Sequence, residues 1–161
     1  MEDLSRHMKI VATLCYIQKN NRTLMLLRNK KENDMHDGKY VGLGGKCEKG
    51  EDPYACIIRE VREEAGIEIK PIYVANLTFN DFVPEKDWEV HLFRAEGYTG
   101  KLKKCNEGDF TWVDSDKING LNLWPGDRIF LQYLNSEKFF FGNFEYSSGK
   151  LKDHRIYFCG K

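Results

Sequence analysis

An α/β (α+β) architecture, a mixed β-sheet with helices packed on it, is the fold class this sequence predicts. Two observations carry the prediction. Strand-like and helix-like segments follow one another as strands, helix, strands, helix, strands. The strand-like segments at both ends of the chain come in pairs separated by turn residues. With 161 residues the chain is expected to form one domain, 1–161, since two would each fall well below the usual ~100–150 residues.

The elements follow in order. Ile10 to Ile17 and Thr23 to Arg28 are rich in strand formers, and Asn20-Asn21 between them signals a hairpin. Arg28 to Lys39 is polar, contains the breaker Asp37-Gly38, and reads as an exposed loop. Asp52-Pro53 supplies an N-cap and a proline at the first helical position, and Gly66 a C-terminal stop. The helix between them, about 53–65, has an apolar stripe of Tyr54, Ile57, Ile58, Val61 and Ala65. Tyr73 to Phe79, Trp88 to Ala95 and Phe110 to Val113 read as strands. Gly126 to Leu134 reads as a second helix with Ile129, Phe130, Tyr133 and Leu134 on one side. Lys138 to Tyr146 and Leu151 to Phe158 flank Ser147-Ser148-Gly149 and read as a closing hairpin.

Charge and targeting narrow the function classes. Lys+Arg and Asp+Glu are equal at 25 each. That balance argues against a long nucleic acid as partner, which would call for a basic excess. It leaves a small phosphorylated ligand open. The N-terminus lacks the basic start and apolar stretch of a secretory signal. The longest apolar run, Ile10 to Ile17, contains Thr13 and is far short of the roughly 18 residues of a membrane helix. The expectation is a soluble, cytoplasmic protein with no membrane partner. The five cysteines are odd in number and show no C-x-x-C spacing, so they are expected to be reduced thiols.

The chemistry signal lies on the first helix. Glu60, Glu63 and Glu64 stand at i, i+3 and i+4 and share one face. Such a trio is either a solvated acidic face eased by Arg59 and Arg62, or a site for a hard divalent cation. The surroundings decide. Gly45, Glu51, Arg59, Glu60, Val61, Glu63, Glu64, Gly66 and Ile67 spell G-x5-E-x7-R-E-U-x-E-E-x-G-U, with U apolar. Chance gives this on the order of once in a billion start positions, so coincidence is set aside.

This pattern resembles the Nudix box, and the chain is identified as a member of the Nudix hydrolase family. The resemblance implies an α/β/α sandwich and cleavage of a phosphate anhydride. It also implies a Mg²⁺ cofactor, with Mn²⁺ as a substitute. By resemblance Glu60 and Glu64 are metal ligands, Glu63 is a ligand or the general base, and the Gly44 carbonyl is a further ligand. Arg59 is expected to pair with Glu51 and tie the loop to the helix. Glu107 aligns with an acidic loop residue that supports the metal in relatives, or is simply an exposed loop glutamate.

Outside the box, Gly38 to Lys46, Glu89 to Phe93, Asn122 to Asp127 and Phe139 to Phe144 resemble the MutT-like 8-oxo-dGTP diphosphatases. That branch implies a nucleoside triphosphate pyrophosphohydrolase sanitising oxidised purine nucleotides. Trp124 and Asp127 match its base-binding aromatic and carboxylate. The alternative is that Trp124 packs in the core and Asp127 serves the helix dipole. Phe139, Phe140 and Phe144 line a pocket or fill the core. The chain departs from the vertebrate-type pattern at Val41, where that pattern has Asn, and at Gly126, where it has a second carboxylate. Base selectivity therefore either differs from that branch or is carried by other groups such as Asn143 or Thr13. Lys46, Lys39 and Arg28 meet phosphates or are solvated. His36 is expected to be exposed, and His91 to be a strand-surface or hydrogen-bonded residue.

Other readings remain within the fold: hydrolysis of ADP-ribose, a dinucleoside polyphosphate or an RNA 5′ end, a non-catalytic nucleotide sensor, or an isopentenyl diphosphate isomerase. The partner is expected to be a small nucleotide, and the assembly a monomer or homodimer.

Overall fold

The computed structural model describes residues 8–160. Two strands, β1 (Met8–Lys19) and β2 (Arg22–Arg28), turn antiparallel at Asn20 and Asn21. Both asparagines have positive φ, 53° and 61°, as a type I′ turn demands, and asparagine tolerates that region better than most residues. The same device closes the other hairpin, β9 (Phe140–Ser147) and β10 (Lys150–Phe158), through Ser148 and Gly149.

One long sheet follows. Its order is β10, β9, β5 (Ile72–Val83), β6 (Lys86–Glu96), β1, β2 and β3 (Tyr40–Val41), with β8 (Gly108–Asp114) also paired to β2. Strands β1 and β6 run parallel from Met8 to Gln18, and so do β5 and β9, whereas the other pairs are antiparallel. The sheet is mixed, as expected. A small second ladder joins β4 (Ile67–Glu68) to β7 (Thr99–Gly100). The strands β5 and β6 extend past their expected ends and meet at a tight turn through Pro84 and Glu85.

Alternation along β1 separates two cores. Cys15 and Ile17 pack with Ile57, Val61 and Ala65 of α1 (Pro53–Ala65). Ala12 and Tyr16 pack on the opposite face with Phe130 of α2 (Pro125–Phe130). This is the α/β/α sandwich. Burying Ile57 and Val61 contributes about 1.5–3 kcal/mol each, several times the tenths at stake in helix propensity, so packing decides which face of α1 points inward.

The boundaries of α1 are those its sequence predicts. Asp52 accepts a hydrogen bond from the Ala55 N–H at 2.8 Å, and Gly66, at φ 72°, donates to the Arg62 carbonyl. The apolar stripe holds at Ile57, Val61 and Ala65 but differs in its first turn. Tyr54 is exposed, and Cys56 takes the inward place, its sulfur 3.3 Å from Thr13 Oγ1. Only a small side chain lets the helix start come that close to β1. The second helix is shorter than expected, because the chain tightens into a 3₁₀ turn at Leu131–Tyr133. Phe130 and Leu134 are buried as anticipated, with Ile129 and Tyr133 half-buried beside them.

Among the described residues no helix is long and apolar enough to cross a membrane. All five cysteines are free.

Candidate active site

The site begins with two glycines. Residues 43–46 run antiparallel along β1, with the Thr13 N–H donating to the Gly45 carbonyl at 2.8 Å and the Leu43 N–H to the Cys15 carbonyl at 2.9 Å. A Cβ on Gly44 would overlap the Thr13 carbonyl, and one on Gly45 would overlap the Glu60 carboxylate. At Gly44 only glycine permits this approach, whereas at Gly45 the Glu60 carboxylate would have to move aside. The polar face of α1 therefore lies directly on the loop. The Gly44 N–H donates to Glu64 Oε1 at 2.9 Å.

Arg59 is the clamp between loop and helix. Its Nε and Nη2 donate to the two oxygens of Glu51 at 2.8 and 2.9 Å, a bidentate pair. Nη2 also donates to the Lys46 carbonyl, and Nη1 to Glu60 and Glu63. The guanidinium holds the Glu51 carboxyl down at about 2.

The carboxylates facing the loop are under the opposite pressure. Burial pushes Glu64 up to about 8, and the charges of Glu107 and Glu60 add to it against the Gly44 hydrogen bond and Arg28. Burial also raises Glu60, with Glu63 and Glu107 adding and Arg59 opposing. Glu107 is itself paired with Arg28 at 3.4 Å. Glu63 is different. It is exposed, does not line the cleft, and is held by Arg59 at 3.2 Å.

A cleft of about 720 Å³ joins this acidic end to an aromatic end. Glu60, Glu64, Glu107, Gly44, Gly45 and Lys46 line the first; Phe79, Phe82, Trp88, Trp124 and Asp127 line the second. Asp127, in the first turn of α2, is buried, and burial raises its carboxyl to about 7 against the pull of Lys39. Trp124 donates its indole N–H to His36 Nδ1 at 2.8 Å, meets Phe82 edge-on, and carries Lys39 Nζ 5.0 Å over its ring.

Two residues named from the sequence do not reach the base end. Phe144 is fully buried and stacks behind Phe79, whose ring stands between it and the cleft. Thr13 borders the cleft, but its hydroxyl is directed to the Gly45 carbonyl and Cys56, so it supports the loop. Phe140 is core and Phe139 packs on Tyr73 outside the cleft. Asn143 meets the Asn80 side chain. Lys46 Nζ lies 5.5 Å over the Trp88 ring. His91 is hydrogen-bonded, its Nδ1 2.7 Å from Tyr73 Oη.

His36 is a correction: it is half-buried, stacked on Phe82 and bonded to Trp124. The loop that carries it folds over the cleft because Asp34 accepts from both the Arg28 Nε and the His36 N–H. Arg28 is likewise paired rather than solvated. Sequence reasoning also missed Phe79 and Phe82. Residues three apart on a regular strand face opposite sides. The register of β5 shifts after Phe79, with Asp81 at φ 54°, and both rings join one cluster.

Val41 lines the cleft. Gly126 has its own reason. Its N–H donates to Tyr146 Oη at 2.8 Å, and a Cβ there would stand 2.8 Å from that oxygen and 3.2 Å from two phenyl rings. Gly126→Ala is expected to cost about 1–3 kcal/mol of stability by overpacking, measured by urea unfolding. The loss should shrink in a Tyr146→Phe background, where the hydroxyl is gone.

The NUDIX domain family model matches residues 8–134. The chain belongs to the Nudix hydrolase family. It is 30% identical over 136 residues to an oxidized purine nucleoside triphosphate hydrolase of Danio rerio, covering 83% of this chain and 85% of that one. It is also 30% identical over 142 residues to the uncharacterized Nudix hydrolase YvcI of Bacillus subtilis, covering 84% and 85%. A MutT protein from Bacillus halodurans superposes with a TM-score of 0.81 at 27% identity, covering 91% of this chain and 97% of that one. This Nudix hydrolase is thus MutT-like, in a family that acts on small nucleotide substrates and generally uses a divalent metal.

Proposed function

We propose that this Nudix hydrolase cleaves purine nucleoside triphosphates to the monophosphate and pyrophosphate, preferring oxidised purines such as 8-oxo-dGTP, with Mg²⁺ or Mn²⁺ as cofactor. The observation that carries the reading is the single cleft with clustered carboxylates at one end and an aromatic wall with one buried carboxyl at the other. A nucleotide's phosphates and base need those two environments together. The Danio rerio relative, named for oxidised purine triphosphates, supports the substrate class. The five free cysteines suit a reducing compartment, the cytoplasm.

The donor set fits Mg²⁺. Glu60, Glu64 and Glu107 are hard oxygen donors; burial raises Glu60 and Glu64, the charge of Glu107 adds to both, and a cation resolves that conflict. Mg²⁺ is usually held by one or two carboxylates and keeps the rest of its shell for water and phosphate. Glu60, Glu64 and the Gly44 carbonyl would hold it, with Glu107 in support. When bound, the metal neutralises phosphate charge and lowers the pKa of a bound water. Arg59 and Glu51 keep loop and helix in register. A carboxylate of the cluster takes the proton of the attacking water. Trp124 offers an aromatic wall to the purine, a contact of about 1–3 kcal/mol, and Asp127 bonds its edge.

The test is pyrophosphate and phosphate release with Mg²⁺ from 8-oxo-dGTP, dGTP, 2-hydroxy-dATP, dATP, dCTP, ADP-ribose and diadenosine tetraphosphate. The expected result is kcat/KM at least roughly tenfold higher for the oxidised purines, about 1.4 kcal/mol of transition-state binding. Faster turnover of ADP-ribose or the dinucleotide would overturn the substrate assignment.

A further inference from the structure

Trp124 and Trp88 are the two indole rings lining the cleft, and the orientation of Trp124 is held from outside its own helix. The side chain lies just ahead of α2, at the Ncap position, and its indole N–H reaches across to a different segment. The acceptor is His36 Nδ1 at 2.8 Å. The imidazole meets the indole edge-to-face, with centroids 5.7 Å apart and planes at 89°, and its other contact is a near-parallel stack on Phe82. Phe82 in turn meets Trp124 at 4.8 Å. The three rings form a closed triangle on the cleft wall.

His36 is held as firmly as it holds. Its backbone N–H donates to Asp34 Oδ1 at 3.0 Å, and its carbonyl accepts from the Lys39 N–H at 2.8 Å. A second tie joins the same two segments where the Asn122 side chain donates to the Gly38 carbonyl at 2.8 Å. An imidazole accepting at Nδ1 is the neutral tautomer protonated at Nε2. Burial, with Arg28 nearby, keeps it neutral by pushing its pKa down to about 4.

We propose that His36 is a specificity-determining positioning residue, which orients the Trp124 indole for purine stacking by accepting its N–H and fastens the 29–39 loop to the base end of the cleft. The inference rests on the reading that the base stacks on Trp124. It assigns His36 no part in the chemistry at the phosphates. Loss of the bond should therefore weaken purine binding and leave turnover of bound substrate intact.

The experiment compares His36→Phe, which keeps a ring but removes the acceptor, with His36→Gln, whose amide oxygen can accept the indole N–H. Trp124→Ala is measured alongside. For His36→Phe, KM for purine triphosphates should rise about tenfold with kcat within twofold, and the Trp124 indole N–H resonance should move upfield in ¹⁵N-tryptophan spectra. His36→Gln should restore both. An unchanged KM and resonance in His36→Phe would overturn the proposal, and so would a failure of His36→Gln to rescue in a variant of wild-type Tm. If Trp124→Ala leaves KM unchanged, the stacking reading itself falls. If Trp124→Ala raises KM and His36→Phe does not, only the role of His36 falls. A measurement on the unaltered protein stands apart from any folding defect: ¹⁵N shifts of His36 should show the Nε2–H tautomer, and an Nδ1–H tautomer would refute the bond.

Discussion

Glu64→Gln is expected to lower kcat by about 10³-fold, within the 10²–10⁴ span of removing a group that handles the proton or its metal. The substitution is nearly isosteric, and the amide oxygen can still accept the Gly44 N–H that Glu64 now accepts at 2.9 Å. The fold and the loop should survive, so the loss reads the carboxylate charge alone. Glu64 is the most deeply set of the box carboxylates, pushed up to about 8 by burial and by the charges of Glu107 and Glu60. Glu63→Gln should cost less, because that side chain is exposed and engaged by Arg59 outside the cleft. Steady-state kinetics at several Mg²⁺ concentrations make the check. A ligand role raises the half-saturating Mg²⁺ concentration, and a base role lowers kcat at saturation. Activity of Glu64→Gln within threefold of wild type would remove Glu64 from the machinery.

Asp127 should leave its mark on stability and on substrate affinity. Its carboxyl titrates near 7 in the folded chain against 3.8 for the free group, because burial disfavours the charge. Between about pH 4 and 7 the native state keeps a proton that the unfolded state has released. Stability therefore falls as pH rises through that window, by up to about 4 kcal/mol if burial persists. Asp127→Asn removes this slope, so the variant should match wild type near pH 4 and exceed it at pH 8 in urea unfolding. Equal slopes in the two proteins would contradict a buried titrating carboxyl. In activity, wild-type KM for oxidised purines should change around pH 7, where the group turns from donor to acceptor. Asp127→Asn, a mimic of the neutral form, should be flat there. Asp127→Ala should raise KM roughly tenfold or more, as loss of one hydrogen bond with partial charge predicts.

Most of the helix and hairpin boundaries were legible because their signals are local. Asp52, Pro53 and Gly66 mark the ends of α1 through contacts within one helical turn. Asn20-Asn21 encodes a two-residue turn by its φ preference alone. The family, too, was legible, since the box places its carboxylates at helical spacing and its glycines where backbones must touch. The departures came where distant segments compete for the same space. Tyr54 satisfies the helical period, yet it is exposed, while Cys56 packs inward against Thr13 of β1. Phe144 and Phe79 look alike in the sequence, and only their stacking order says which one faces the cleft.

What the sequence determined by itself was the mixed α/β class and the helix that bears the carboxylates, and the family resemblance added the clamp between Glu51 and Arg59. Each depends on residues close in the chain or on a pattern dense enough to exclude chance. The tertiary structure alone decided the base end of the cleft. Phe82 turns inward because β5 shifts register, and His36 becomes an acceptor because a polar loop closes on Trp124. Gly126 leaves room for a tyrosine hydroxyl twenty residues away. Those outcomes follow from packing between segments 20 to 88 residues apart, and no local preference encodes which side chain will win a shared volume.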